Sequence, residues 1–219
     1  MGLKIVRMTL GPLPNNVYLL GDQENGDAVV IDPGFESQVV LQKAVDLGWQ
    51  LRQVWLTHAH FDHMAGAAEI ANAFDPPLPI GLHPADRDWY NNQGGASRFG
   101  MSIPQPPTPR LIFEDGMALG LKVGGPPVVQ VRLAPGHSAG HVMFYCEVLQ
   151  VLFCGDVIFR GSIGRTDLPG GDMETLLKTI QRGVFSLPDE TRLLPGHGPE
   201  SKVGSERAHN PFLQELNSL

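Results

Sequence analysis

Cysteine is scarce in this 219-residue chain: there are two, Cys146 and Cys154, each inside an apolar run that reads as a strand. Two thiols so placed exclude a disulfide framework and are expected to be reduced and buried. Charge is scarce too. Asp, Glu, Lys and Arg make up 18% of the residues, the net charge is −7, and no basic stripe occurs. That balance argues against a nucleic-acid partner, and any anionic ligand would need a local cationic pocket. No apolar run approaches the ~18 residues of a spanning helix, so no membrane span is expected. The opening "MGLKIVRMTLGPLPNN" has no signal-peptide apolar region, and Val6 breaks the myristoylation pattern, so a cytoplasmic location is expected.

Glycine and proline are plentiful, 26 and 19, which predicts many tight turns and shaped loops. A 42% apolar share supports a sizeable core, read as one domain over residues 1–219. Apolar runs predict strands at Leu3–Thr9, Val17–Leu20 and Ala28–Ile31, with Asn25-Gly26 as a hairpin turn. Helical spacing covers Ser37–Leu47 and stops at Gly48. A short strand follows at Gln53–Thr57, a helix at Ala65–Phe74, and a strand at Pro79–Leu82. Asn91–Pro109 lacks periodicity and reads as a surface connector or a lid. Further strands are expected at Leu111–Phe113, Met117–Val123, Val128–Leu133, His141–Cys146, Val151–Cys154 and Arg192–Leu194, and Asp172 can cap a helix over Met173–Val184. Strand runs followed by helices, occurring twice, suggest an α/β (α+β) fold of two packed sheets with helices outside.

The chemistry concentrates in "WLTHAHFDHMAG". His58, Asp62, His60 and His63 are four metal-ligand types in six positions, directly after a strand. Extended spacing points His58 and His60 the same way, and Asp62 and His63 can turn back from the next helix. His137 in "PGHSAGH", Asp156 in "FCGDVIF" and His197 in "LLPGHGP" each follow an apolar strand and a Gly. A bound metal is the expectation. Beside these, His141 reads as a supporting or strand residue, His83 as a strand-end turn with cleft lining as the alternative, and His209 as surface or helix packing. Asp32 is expected to fix its turn and orient a ligand. Arg110, Arg132 and Arg192 read as solvated strand-end charges.

His-x-His-x-Asp-His followed by a distant His, Asp and His, with "VIDPG" at Val30–Gly34 before it, resembles the metallo-β-lactamase fold over nearly the whole chain. The resemblance implies a four-layer αβ/βα sandwich of two mixed β-sheets. It also implies two divalent metal ions, zinc and/or iron with manganese compatible. His58, His60 and His137 would bind one ion, Asp62, His63 and His197 the other, and Asp156 would bridge them. Asp62 and Asp156 are thereby the catalytic carboxylates, with Asp62 as a candidate proton acceptor from the attacking water.

"GDVIFRGSIGRTDLPGGD" and "LPGHGPESKVGSERAHNPFL" further resemble a short bacterial group of glyoxalase II-like proteins, or hydroxyacylglutathione hydrolases. That group lacks the separate C-terminal glutathione-binding extension. The resemblance implies hydrolysis of S-D-lactoylglutathione, or a related glutathione thioester, by a metal-bridging hydroxide. Arg165 in "GRTD" is the candidate for a substrate carboxylate, beside a reading in which it only pairs with Asp167. Arg160, Lys202 and Arg207 are weaker candidates. The alternatives are a single-iron persulfide dioxygenase, against which stand "PGHGP" and Ile163, and other metallo-hydrolases such as lactonases, β-lactamases and nucleases. A module merely stapled by metal is the non-enzymatic alternative.

Overall fold

Successive side chains of a strand face opposite sides of its sheet, and several strands here are apolar on both. The computed structural model describes residues 2–214. Its first sheet runs β1 (Leu3–Leu10), β2 (Asn15–Asp22), β3 (Asp27–Ile31), β4 (Gln50–Trp55), β5 (Ile80–Leu82) and β6 (Leu111–Ile112), in that spatial order. The β1–β2 and β2–β3 pairs are antiparallel and the rest parallel. The second half supplies β7 (Ala118–Gly120), β8 (Pro127–Leu133), β9 (Val142–Cys146) and β10 (Val151–Gly155). A small hairpin, β11 (Ile158–Phe159) and β12 (Ser162–Ile163), precedes β13 (Arg192–Pro195) and β14 (Ser201–Lys202). The second sheet has the order β14-β13-β10-β9-β8-β7, with β10 and β13 parallel and its other pairs antiparallel.

Helices α1 (Ser37–Asp46), α2 (Phe61–Met64), α3 (Ala67–Asn72) and α4 (Arg87–Asn91) belong to the first half, and α5 (Met173–Thr179) and α6 (Val203–His209) to the second. Alternation sorts the core into three buried clusters. Val17 and Leu19 of β2 pack with Val40, Ala44 and Ile70 of the helices. Their neighbours Tyr18 and Leu20 face the second sheet, meeting Phe144, Phe153 and Leu194. On the far side, Met143, Leu152 and Leu193 pack under Leu176, Ile180 and Val203. Three apolar seams separate four layers, the sandwich that the resemblance implies. Trp55 and Phe144 anchor the central seam, fully buried, with ring centroids 5.3 Å apart. Truncating a ring of this kind costs about 3–5 kcal/mol.

Several element bounds differ from those expected, each for a local reason. Met117–Val123 shortens to β7, because the chain turns at Lys122–Gly125 with a Gly125 amide bond to the Lys122 carbonyl of 2.9 Å. The Ala65–Phe74 helix starts at Ala67. Its Gly66 amide donates to the Pro33 carbonyl (2.8 Å), which separates α3 from α2. Asp172 does cap α5, accepting from the Thr175 amide at 2.7 Å, but after Thr179 the helix widens into a single π-type turn, Ile180–Val184. Asn91–Pro109 is neither a plain connector nor a free flap. Gln93–Phe99 forms tight turns broken by left-handed Gly94 and Gly95, and Phe99 stacks on Phe61 with centroids 5.2 Å apart. Both cysteines are free and buried, and burial pushes both thiols up, away from reactive thiolates. None of the described helices is long and apolar enough to cross a membrane.

The C-terminal ends of β3, β4, β8, β10 and β13 lie along one edge of the sandwich, and Asn16 locks that edge. Its amide donates to Gly196 O (2.7 Å), and its side chain donates to Pro195 O (3.0 Å) and Gly198 O (2.8 Å). The Tyr18 hydroxyl adds a bond to Pro195 O of 2.7 Å, so both sheets are tied where their strands end.

Candidate metal centre

Each chemistry-bearing residue sits just past one of those strand ends. His58 and His60 follow β4, and Asp62 and His63 lie on α2, for which His60 is the N-cap. His137 follows β8, Asp156 follows β10, and His197 follows β13. All seven come together. His137 Nε2 lies 3.2 Å from His58 Nε2 and 2.9 Å from His60 Nδ1. His197 Nε2 lies 3.1 Å from Asp62 Oδ2, and His63 Nε2 lies 3.8 Å from the same oxygen. Asp156 stands amid both groups: Oδ1 is 3.4 Å from His63 Nε2, while Oδ2 is 3.7 Å from His137 Nε2 and 3.7 Å from His197 Nε2.

The outward nitrogens decide what the inward ones can do. His137 Nδ1 donates to the Arg165 carbonyl (2.8 Å) and His197 Nδ1 to the Pro14 carbonyl (2.9 Å). His63 Nδ1 donates to Asp32 Oδ2 at 3.0 Å. The Thr57 hydroxyl gives its own proton to Asp32 Oδ2 (2.6 Å), so at 3.0 Å it must accept from His58 Nδ1. Four imidazoles thus carry their proton on Nδ1 and aim an Nε2 lone pair at the cleft. Lone pairs this close repel unless a cation lies among them. Consistent with that, His63 Nε2 and Asp156 Oδ1 are buried without a hydrogen-bond partner.

Electrostatics divides the cluster into two. Burial, aided by neighbouring imidazoles, pushes His58, His141 and His137 down, and His60 to about 3, the neutral state a ligand needs. Burial also pushes Asp62 and Asp156 up, but His63 and the imidazoles around it outweigh that and hold both carboxyls below the ordinary range. In turn Asp156, Asp62 and Asp32 overcome the burial of His63 and raise it well above the ordinary value, so these acids favour positive charge at its Nε2, which a bound cation would supply in place of a proton. Three groups have the spacing to hold an ion: His58, His60 and His137; Asp62, His63 and His197; and Asp32, His58 and His63. Asp32 also accepts from the Thr57 amide (2.7 Å), so its carboxylate is engaged as an orienting group.

The cleft above the cluster encloses about 480 Å³. Phe61, Trp89, Phe99, Phe159, Ile163 and Leu168 make its walls largely apolar, with Arg165 at its lip. The Arg165 guanidinium is bidentate to Asp167, at 2.7 and 2.8 Å, and half exposed. Among the weaker candidates, Lys202 pairs with Glu190 at 2.6 Å, Arg207 pairs with Asp189, and Arg160 donates to the Glu200 carbonyl. His141 stacks on His58 (4.8 Å, 19°) and accepts from the Asp156 amide at 3.0 Å. His83 caps the turn after β5 through the Ala85 amide at 3.3 Å, and His209 bonds the Ser205 carbonyl of its own helix at 3.2 Å. Arg110 reaches Pro77 O and Arg192 pairs with Glu200, but Arg132 is more than a solvated charge. It lies over the Tyr145 ring at 5.1 Å and donates to Gly183 O at 2.9 Å.

Two residues at this site, Asp86 and Trp89, escape the sequence reading, and the reason for a third, Gly196, shows only in the structure. Asp86 is fully buried and accepts from the Ala59 amide (3.1 Å), the Ser138 hydroxyl (2.7 Å) and the Gly140 amide (2.6 Å), so one carboxylate ties the His58–His60 loop to the His137 loop. It follows a strand in "GLHPAD", the same signal that marks the other acids. Trp89 packs edge-on against His60 at 4.6 Å. Gly196 is needed for space: a Cβ there would meet Asp156 Oδ1 and the His63 ring.

Comparison with known proteins agrees with this fold. Hydroxyacylglutathione hydrolase GloC of Haemophilus influenzae is 34% identical over 214 residues, covering 97% of this chain and 98% of that protein. The crystal structure of TTHA1623 in a di-iron-bound form superimposes with a TM-score of 0.86 at 43% identity, covering 95% of this chain and all of that one. The BLEG-1 B3 metallo-beta-lactamase gives a TM-score of 0.88 at 34% identity, covering 96% and 100%. The family model described as the metallo-beta-lactamase superfamily matches residues 10–197. With five strand ends delivering histidines and aspartates to one edge of a four-layer sandwich, this chain belongs to that superfamily.

Proposed function

We propose that the cleft holds two divalent cations and hydrolyses a glutathione thioester, S-D-lactoylglutathione or a close relative, to the hydroxy acid and glutathione. The observation that supports this most is the convergence of inward Nε2 atoms and carboxylate oxygens, several without protein partners, beneath an apolar cleft. Donors about 3.3 Å apart suit a first-row ion with bonds of about 2.0–2.1 Å, and the separations here run from 2.9 to 3.8 Å. His58, His60 and His137 would hold one ion, Asp62, His63 and His197 the other, and Asp156 both. A His and carboxylate set accepts zinc, iron or manganese. When bound, such ions polarise a carbonyl and lower the pKa of a coordinated water.

The chain's own residues supply the rest. Asp32, Thr57, Pro14 and Arg165 fix the imidazole tautomers through their oxygens. Asp62, kept charged, can accept a proton from the attacking water. Asp62→Asn is therefore expected to lower turnover about 10²-fold or more; full turnover with both ions retained would remove that role. Arg165 can exchange Asp167 for a substrate carboxylate. Arg165→Ala should raise KM for a glutathione thioester about tenfold more than for an uncharged thioester, and equal effects on both would withdraw the contact.

Thiolate departs without a proton, which suits a cleft whose acids are charged. A β-lactam is the second reading, favoured by the 34% identity to BLEG-1. A persulfide substrate with one iron would leave the donors of a second set unused. The test is elemental analysis of the purified protein paired with a screen of thioesters, lactones, β-lactams and glutathione persulfide under oxygen monitoring. Thioester turnover with two ions per chain is expected, and oxygen uptake or exclusive β-lactam turnover would replace the reading. Chelation should also lower Tm: an ion at 1,000 times its Kd contributes about 4 kcal/mol, worth about 10 °C at this size. An unchanged Tm after complete stripping would contradict a bound ion.

A further inference from the structure

Glutathione carries two carboxylates, yet Arg165 at the cleft lip is already neutralised by Asp167. Glutathione also carries an ammonium, but on a chain of net charge −7 its second carboxylate still needs a cation of its own. Arg160, Lys202 and Arg207 are each engaged elsewhere.

We propose that Arg98 is that cation, so that Arg98 and Arg165, joined through Trp89, grip the carboxylates of the thiol part of the substrate. This rests on the thioesterase reading above. The Arg98 guanidinium lies 5.8 Å from the centre of the Trp89 ring. Among the described residues no carboxylate pairs with it. Trp89 lines the cleft and donates its indole N–H to Pro169 O at 3.0 Å, in the loop that follows Arg165. Trp89 thus touches both arginine-bearing segments. The Arg98 segment is seated firmly as well. Gly95, at φ +76°, lies so close to the indole that a Cβ would collide with it, and Phe99, beside Arg98, lines the cleft and stacks on Phe61. A guanidinium above an aromatic face has its plane set by the ring, while its N–H edge stays free for a carboxylate.

Calorimetric titration of the metal-loaded protein with S-methylglutathione, and with its diethyl ester, tests the assignment. Wild type should bind the diacid more tightly than the diester, and Arg98→Ala should lower that preference about tenfold, the equivalent of 1.4 kcal/mol. Arg98→Lys, which keeps the charge, should restore part of it. Equal binding of diacid and diester by wild type, or a preference that survives in Arg98→Ala, overturns the assignment. Hydrolysis of S-lactoyl-N-acetylcysteamine separates the two levels. If wild type cleaves it while no carboxylate preference exists, Arg98 is excluded and the thioesterase reading stands. If it cleaves no thioester, both fall.

Discussion

Asp156→Asn is expected to leave the sandwich folded while the proposed thioester hydrolysis falls by about 10³-fold, the scale of losing a main electrostatic group of a site. The substitution hardly changes shape. It does replace an anionic oxygen by a neutral amide whose N–H groups point at other donors. Asp156 is the only carboxylate among the described residues within 3.7 Å of inward nitrogens from both donor groups, His137 on one side and His63 and His197 on the other. Burial works against its charge, but the imidazoles around it, His63 first, more than compensate and hold the carboxyl well below the ordinary carboxylate range. Removing that charge should drop the metal content from the two ions per chain proposed above to one or none by elemental analysis. Two retained ions with undiminished turnover would show that Asp156 joins neither.

The second large effect is structural. Asp86→Ala strands three buried donors, Ala59 N, Gly140 N and Ser138 Oγ. A buried donor left unpaired costs about 1–3 kcal/mol, so about 3–9 kcal/mol should be lost, or upward of about 10 °C in Tm at this size. Burial pushes the Asp86 carboxyl up, against the pull of those three donors. Asp86→Asn keeps an acceptor and should lose less. Ala59 lies between His58 and His60, and Ser138 follows His137. Metal affinity should therefore fall about 10- to 100-fold, as for other groups that orient ligands. Melting the chelated protein separates the two effects: the stability loss must persist without metal. A wild-type Tm for Asp86→Ala, with or without metal, would mean the two loops hold their places unaided.

Legibility of the site follows from how local each signal is. His58, His60, Asp62 and His63 are visible because polar residues crowd directly after an apolar strand, where an unpartnered imidazole would be costly. His137, Asp156 and His197 repeat one grammar, strand then Gly, and for Gly196 the structure supplies the reason, since only the absence of a Cβ admits Asp156 and His63. Asp86 carries the same strand-end signal in "GLHPAD" but has no histidine cluster beside it, and its three partners lie in two distant loops. Trp89 and Arg98 come from short segments with no periodicity. The hairpin at Ile158–Ile163 and the seven-residue α6 are likewise too short for a pattern to emerge.

By its own order of residues, this chain determined a layered α/β sandwich, two buried thiols and seven ligand-type side chains placed at strand ends. Apolar alternation and the cost of burying imidazoles are local properties, and a linear pattern records them. Tertiary structure alone decided which nitrogen of each imidazole faces the cleft, since Pro14, Asp32, Thr57 and Arg165 supply the oxygens that hold the others. It also decided that Asp86 binds two loops into one and that Trp89 meets both arginine segments. Hydrogen bonds reach about 3 Å whatever the sequence separation, so partners of this kind become definite only once the two sheets have closed on each other.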